Sequence, residues 1–482
     1  MSRIFTRKRI VGGILLIVLI CGGYFGYTKR EYFAQIPIGC AFKAKALCAG
    51  VFVQGLDPET IAREDSGFSP MFKLFKASID REKKAVSCSL LGTGLFKKTA
   101  VYIEGLGPIL LSGVPEETVR AMKPELPAPE PADPAAVPWP MGDLIPEEAA
   151  PAAIDAAKLG QAIDRAFAEP DPKHLKRTRA IVVLYDGRLV VERYAPAITR
   201  DTRLLSWSMA KSFTNVLVGI LVKQGKIDIH DPAPVPEWKS IDDPRHAITT
   251  DQLMRMSSGL DWYEEYAEHP VSDVNRMLFL EPDHAAYAAA KPPAAVPDTV
   301  WSYSSGTANI VSRIIRRVVG SRDAYWAFPR RELFNKIGMR SAVFGSDAGG
   351  TFIGSSYLYA TARDFARFGL FCLNDGVWNG ERILPEGWMA YSTTATPKAE
   401  KGVYGAFFWT NQGEPDHPEK RVYPKMPRDL NWADGYQGQQ IFVCPSLKLV
   451  VVRLGMTWDS NWGAAEFLEG LAGSINKYYG EQ

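Results

Sequence analysis

The chain carries almost no net charge: 56 Lys and Arg stand against 54 Asp and Glu, +2 in 482 residues. With no dense basic face, that balance excludes an electrostatic nucleic-acid binder. Histidine is scarce, six residues scattered along the sequence, and none forms H-E-x-x-H. No cysteine or histidine set has metal-ligand spacing, so no metal site is expected. G-x-S-x-G is missing as well, which removes the nucleophile-elbow hydrolases. A repeat of solenoid length is also lacking. Cysteines number six. Cys21 falls in an apolar run, leaving Cys40, Cys48, Cys88, Cys372 and Cys444 outside it, an odd set with at least one unpaired thiol. In an oxidising compartment Cys48 with Cys88 is the expected bridge; buried free thiols are the alternative.

Long apolar runs are confined to the N-terminus. Residues 1–9, MSRIFTRKR, form a basic tail, and residues 10–27, IVGGILLIVLICGGYFGY, pass eighteen positions without a charge. That length just spans a bilayer as a helix, and basic residues before it keep the tail in the cytoplasm. An uncleaved, single-pass anchor is expected, with the remaining chain across the membrane; in a bacterial cell that is an inner-membrane anchor with a periplasmic body. Residues 28–113 contain β-branched and Gly-rich stretches such as ALCAGVFVQG and KTAVYIEGLGPILLS, read as the short strands of a small β-rich extension. Residues 114–153 hold ten prolines between Val114 and Pro151, the composition of a linker or wrapping arm.

The main unit is residues 154–482. RAIVVLYDGRLVVERYA, 179–195, places two alternating apolar runs around Asp186-Gly187 and predicts a hairpin. Phe213, Val216, Leu217, Ile220 and Leu221 repeat at helical spacing until Gly225. Residues 249–390 are mainly helical in pattern. Strands return in YQGQQIFV and LKLVVVRLG, and a last amphipathic helix is expected from about Trp462 to Tyr479. These patterns predict an α+β fold (an α/β sandwich): an antiparallel sheet from N- and C-terminal segments flanked by helices, plus an inserted, mostly helical subdomain. A cleft between the two parts is the natural place for a site.

One short stretch carries chemistry. In LLSWSMAKSF, 204–213, Ser208 and Lys211 lie one helical turn apart among bulky apolar residues. A hydroxyl at a helix start sits near unpaired N–H groups that favour developing negative charge. A lysine among apolar groups loses basicity and can accept a proton. The spacing alone is weak, because Ser474 and Lys477 repeat it; that second copy is expected on the water-facing side of the terminal helix.

The order of the remaining elements is what raises the signal. WSYSSGTANIVSRII places Tyr303 and Ser305 downstream, and GYQGQQIFV, 435–443, opens a Gly-bearing strand. With ITTDQLMRMSSGLDW, SYLYATARDFARFGLF and NGERILPEGW, the chain resembles the serine β-lactamase and penicillin-recognising superfamily. The likeness is to its class C-like esterase and 6-aminohexanoate-dimer-hydrolase branch, and it covers about residues 155–475. The resemblance implies a β-lactamase/transpeptidase-like fold and a serine hydrolase working through an acyl-enzyme, without metal or cofactor. Ser208 matches the acylated serine, Lys211 the lysine of the first motif, and Tyr303 the tyrosine that serves as base and then acid. The backbone N–H groups of Ser208 and Gln439 match the oxyanion hole. Ser305, Tyr436, Gln437 and Gly438 match substrate-binding positions. Two departures matter: Ser305 stands where Tyr-x-Asn has Asn, and Tyr436 stands where relatives carry a cation for the substrate carboxylate. Loss of that cation points to a neutral small-molecule ester or amide. The alternatives are a D-amino-acid peptidase or β-lactamase of the same fold, and a non-catalytic envelope-binding protein. The aromatic run YGAFFWT, 404–410, reads equally as pocket wall or core strand.

Overall fold

The computed structural model of the chain describes residues 30–64, 70–146, 151–266, 269, 271–414 and 416–475. The basic tail and the expected anchor, residues 1–9 and 10–27, lie outside them. The first element is a helix, α1 (Arg30–Ala49), running directly into a π turn, Gly50–Gln54. The stretch ALCAGVFVQG, expected to be a strand, is therefore helical. A short apolar run does not by itself distinguish a strand from a buried helix. Here the run continues the helix until Gly55, at φ +69°, ends it by donating its N–H to the Gly50 carbonyl. From Phe33 to Gln54 the helix is long and apolar enough to cross a membrane, yet 61% of that window is buried inside the protein.

The apolar face of α1 lies on a four-stranded antiparallel meander of β1 (Phe75–Asp80), β2 (Ala85–Leu90), β3 (Lys98–Ile103) and β4 (Gly107–Leu110). This contact decides the cysteines. The five among the described residues are free and buried. The expected Cys48–Cys88 bridge is absent; the thiol that meets Cys88 is Cys40. Cys48 lies eight residues further along α1, about 12 Å by helix rise, and burial pushes its thiol up to about 12.

The arm that follows has one short helix, Glu116–Arg120, and otherwise runs without long regular elements. It is tied to the main unit by two arginines. Arg367 donates to the Pro140 and Gly142 carbonyls and to Asp143, and Arg363 to the Asp143 carbonyl.

The main sheet takes strands from both ends of the unit. After α2 (Ala156–Phe167) come β5 (Thr178–Tyr185) and β6 (Arg188–Tyr194). Asp186 and Gly187 join these two at φ +49° and +78°, the paired positive angles that suit a tight hairpin. The chain then enters the helical part through α3 (Ala210–Lys223), α4 (Ser305–Val319) and α5 (Ala362–Leu373). It returns in β7 (Trp409–Thr410), β8 (Asn431–Gly435), β9 (Gln439–Cys444) and β10 (Leu449–Gly455), and then α6 (Ala464–Ala472). Among the described residues the sheet order is β7-β8-β9-β10-β5-β6, every neighbour antiparallel. The α+β architecture expected from the sequence is therefore the one observed.

Alternation along β5 builds the layers, because successive side chains face opposite sides of a sheet. Ile181 and Val183 join Leu159, Ile163, Phe467 and Leu468 of α2 and α6 on one face. Ala180, Val182 and Leu184 join Phe365 and Phe368 of α5 on the other. That second core continues without a break through α1 and the meander, so the N-terminal residues and the main unit share one interior. The terminal helix ends at Ala472, and Lys477 with the rest of the expected stretch, 476–479, lies outside the described residues. Ser474 does not face water; it is 2% exposed, and its hydroxyl donates back to the Leu471 carbonyl at 2.6 Å.

Candidate active site

Leu204–Leu205 forms a short strand beside Leu358–Ala360, and the chain then turns sharply into α3. Trp207 sits in the left-handed region at φ +44°. A bulky residue there is strained, and its side chain holds the turn: the indole Nε1 donates to Gln437 Oε1 at 3.1 Å. Ser208 follows in a 3-10 turn that leads directly into α3.

Lys211 is 1% exposed. Its Nζ lies 3.0 Å from Ser208 Oγ, 3.0 Å from Ser305 Oγ and 3.1 Å from the Ser355 carbonyl. The amine also stands 4.7 Å from the centre of the Tyr303 ring. Burial pulls its pKa down to about 8, against the opposing pull of the Glu264 and Asp434 carboxylates. Tyr303 moves the other way. Burial, then Tyr404 and Glu264, push its hydroxyl well above the usual phenol value, while a hydrogen bond with Ser208 works to lower it. Ser208, Lys211, Tyr303 and Ser305 are thus brought together, although Lys211 and Ser305 are 94 residues apart.

The turn between β8 and β9 closes the opposite side. Gly435 packs so tightly on the serine segment that a Cβ would fall 2.2 Å from the Ser206 carbonyl. The Tyr436 ring packs edge-on to Trp207 at 5.6 Å and is stacked on Tyr266 at 5.2 Å. Gln437 and Gly438 are buried in the turn itself, at φ +66° and +78°, and their carbonyls accept from Arg453. The Gln439 side chain faces Gly455, accepting from its N–H at 3.1 Å, so only its main chain can address the serine. Asp434, raised to about 6 by burial, accepts from Gln440 at 2.7 Å. In the aromatic run 404–410, Tyr404 and Trp409 stand 5.7 and 5.6 Å from the Tyr303 ring; Tyr404, 1% exposed, belongs to the core, whereas Trp409 is half-buried. Phe407 and Phe408 are core.

Two members of this cluster escape sequence reading. Glu264 accepts from the Ser305 amide at 2.8 Å, from Ser305 Oγ at 2.6 Å and from Trp262 Nε1 at 2.6 Å. The stretch around it, Trp262 to Tyr266, is mostly aromatic, and the acid pair Glu264-Glu265 inside it was the available signal. The Ser355 carbonyl is main chain and has no residue-type signature.

Residues 163–466 match the Beta-lactamase family model, well over half of the chain. The chain belongs to that family, a family of serine hydrolases. A 6-aminohexanoate-dimer hydrolase from Paenarthrobacter ureafaciens is 28% identical over 230 residues, 44% of this chain and 56% of that protein, so the match spans little more than half of the relative's length. A Bacillus anthracis structure assigned as a 6-aminohexanoate-dimer hydrolase superposes with a TM-score of 0.52 at 24% identity, over 64% of this chain and 80% of that one. A penicillin-binding protein homologue from Caulobacter crescentus gives a TM-score of 0.50 at 15% identity, over 68% and 99%. These two structures share the fold.

Proposed function

We propose that the chain is an acyl-serine hydrolase of neutral esters or amides, with Ser208 as nucleophile, Lys211 as general base and Tyr303 as general acid. One observation carries this reading: a wholly buried amine, lowered to about 8, stands 3.0 Å from the Ser208 hydroxyl. An amine with that pKa is partly neutral at ordinary pH and can take the proton as Ser208 Oγ bonds to the substrate carbonyl carbon. Tyr303, whose pKa is raised, keeps its proton and is suited to deliver it to the departing alkoxide or amine. Loss of the leaving group gives the acyl-serine ester. The proton that Lys211 took from Ser208 passes to the Tyr303 phenolate, which resets both groups; water then adds to the ester, giving its proton to Lys211, and that proton returns to Ser208 Oγ as the acid is released. The main-chain N–H groups of Ser208 and Gln439 are the proposed donors to the carbonyl oxygen.

Substrate class rests on Tyr436. The position that holds a cation in carboxylate-binding relatives carries a phenol ring stacked on Tyr266, and half-buried Trp409 beside Tyr303 adds apolar surface. Similarity to a 6-aminohexanoate-dimer hydrolase supports a linear amide as readily as an ester. We further place the protein at the membrane through residues 10–27, because an eighteen-residue uncharged run follows a basic tail. The test is hydrolysis of p-nitrophenyl acetate and butyrate, with nitrocefin alongside, by the chain and by Ser208→Ala. Ester turnover lost in the variant, with nitrocefin intact, is the expected result. Rapid nitrocefin turnover would replace it with the β-lactamase reading.

A further inference from the structure

Glu264 holds three hydrogen bonds, and all three partners are donors: the Ser305 amide, the Ser305 hydroxyl and the Trp262 indole N–H. A carboxylate is acceptor-only and suits all of them at once. Ser305 is also the first residue of α4, whose opening amides have no partner inside the helix. Glu264 satisfies one of those amides and fixes the Ser305 hydroxyl with the same group.

The consequence falls on Lys211. Ser305 has one hydroxyl proton, and it is committed to Glu264. Toward Lys211, at 3.0 Å, Ser305 Oγ can therefore only accept. The Ser355 carbonyl, at 3.1 Å, can only accept as well. A neutral lysine amine has two N–H bonds and one lone pair. Both N–H bonds are taken by these acceptors, so the lone pair is left for the third neighbour, Ser208 Oγ at 3.0 Å. We propose that Glu264 is a positioning residue: by holding the Ser305 hydroxyl proton, it aims the lone pair of neutral Lys211 at Ser208. The inference rests on the reading of Ser208 as nucleophile and Lys211 as base. Without Glu264, the Ser305 hydroxyl is free to rotate and donate into the Lys211 lone pair, which removes the base from the serine. The pair Ser305–Glu264 thus does with two side chains what an amide at position 305 would do with one.

The groups facing Lys211 are few and can be separated. Glu264 and Asp434 are the carboxylates that raise its pKa. Tyr303 lies beside it, Tyr404 behind Tyr303, and the Tyr266 hydroxyl lies near Ser305 without a hydrogen-bond partner of its own among the described residues. Glu264→Gln in the full chain keeps the shape of Glu264 but turns one acceptor into a donor, so the three donors can no longer all be met. On p-nitrophenyl butyrate, above about pH 9, kcat should fall roughly 10–100-fold with KM within about twofold. The acid limb of kcat/KM should move to lower pH, because a carboxylate that raised the Lys211 pKa is gone. Adding Glu264→Gln to Ser305→Ala should cost nothing beyond Ser305→Ala alone, since Glu264 acts through that hydroxyl. Glu264→Asp should recover part of the loss.

A Glu264→Gln protein with the parent kcat and an unmoved acid limb would overturn the proposal, as would losses that multiply in the double variant. Should Glu264→Gln fail to fold, Ser305→Ala decides: a kcat loss of similar size supports the proposal and an unchanged kcat overturns it. Ser208→Ala in the same assay separates the levels. If that variant is inactive while Glu264→Gln is indistinguishable from the parent, the inference about Glu264 falls alone; if it remains active, the serine-hydrolase reading falls and takes the inference with it.

Discussion

The α-carbon of Gly435 rests against the carbonyl of Ser206, with room for a hydrogen and nothing larger: a Cβ would lie 2.2 Å from that oxygen. This contact sets the turn between β8 and β9 at its distance from Ser208. Gly435→Ala should push the turn and the serine segment apart. We expect a stability loss of about 1–3 kcal/mol in a urea melt, with ester turnover falling more than stability does. Turnover equal to the parent would show that the turn's position is not critical.

Activity should follow the protonation of Lys211. With its pKa near 8, the amine is charged below that pH and is a base only above it. The profile of kcat/KM should rise roughly tenfold per pH unit on the acid side and level off above about 8. A flat profile between pH 6 and 9 would remove Lys211 from the base role, a range chosen to bracket about one unit or more on each side of that value.

Tyr303→Phe separates acid from base. The ring packing against Tyr404 and Trp409 survives, while the proton donor is lost. Turnover of an amide should fall by about 10²–10⁴, and a p-nitrophenyl ester, whose leaving group needs no proton, should suffer less. Equal losses on both substrates would argue for a role other than leaving-group protonation.

Lys45 of α1 is buried with its ammonium 3.8 Å over the Tyr357 ring, and burial brings its pKa from 10.5 to about 7. Between those two values the unfolded chain binds more protons than the folded one, so stability rises with pH across that window. Below pH 7 the cost of charging it in place is fully present. Lys45→Met should therefore stabilise the protein at pH 6 by about 1–4 kcal/mol, with the gain shrinking as pH rises towards 10.5. A gain that does not depend on pH would mean that packing, not charge, is responsible.

Arg367 joins the arm to the main unit through Asp143, Asp364 and two carbonyls, at 3% side-chain exposure. Arg367→Ala leaves Asp364, 3% exposed, without its cation, while Asp143, 26% exposed, keeps Arg363. A loss of about 3–5 kcal/mol in the urea midpoint is expected. A loss below about 1 kcal/mol, the size of an exposed pair, would mean that water takes over its role.

What the sequence determined by itself is local. Asp186-Gly187 between alternating runs yields its hairpin because only a few residue types accept two positive φ angles. The apolar positions from Phe213 to Leu221 form α3 because helical spacing puts them on buried faces. The order of Ser208, Lys211, Tyr303 and the Gly-bearing strand was legible because each motif is a short string. Tertiary structure decided the rest. ALCAGVFVQG became helix because α1 found a sheet and a neighbouring core to bury it. Ser474, with the same spacing to a lysine as Ser208, turned its hydroxyl into its own helix. Glu264 reached Ser305 across 41 residues, and the Ser355 carbonyl reached Lys211 across 144. No local pattern encodes such meetings: they depend on how distant segments pack, and a main-chain oxygen looks the same at every position until the fold delivers it.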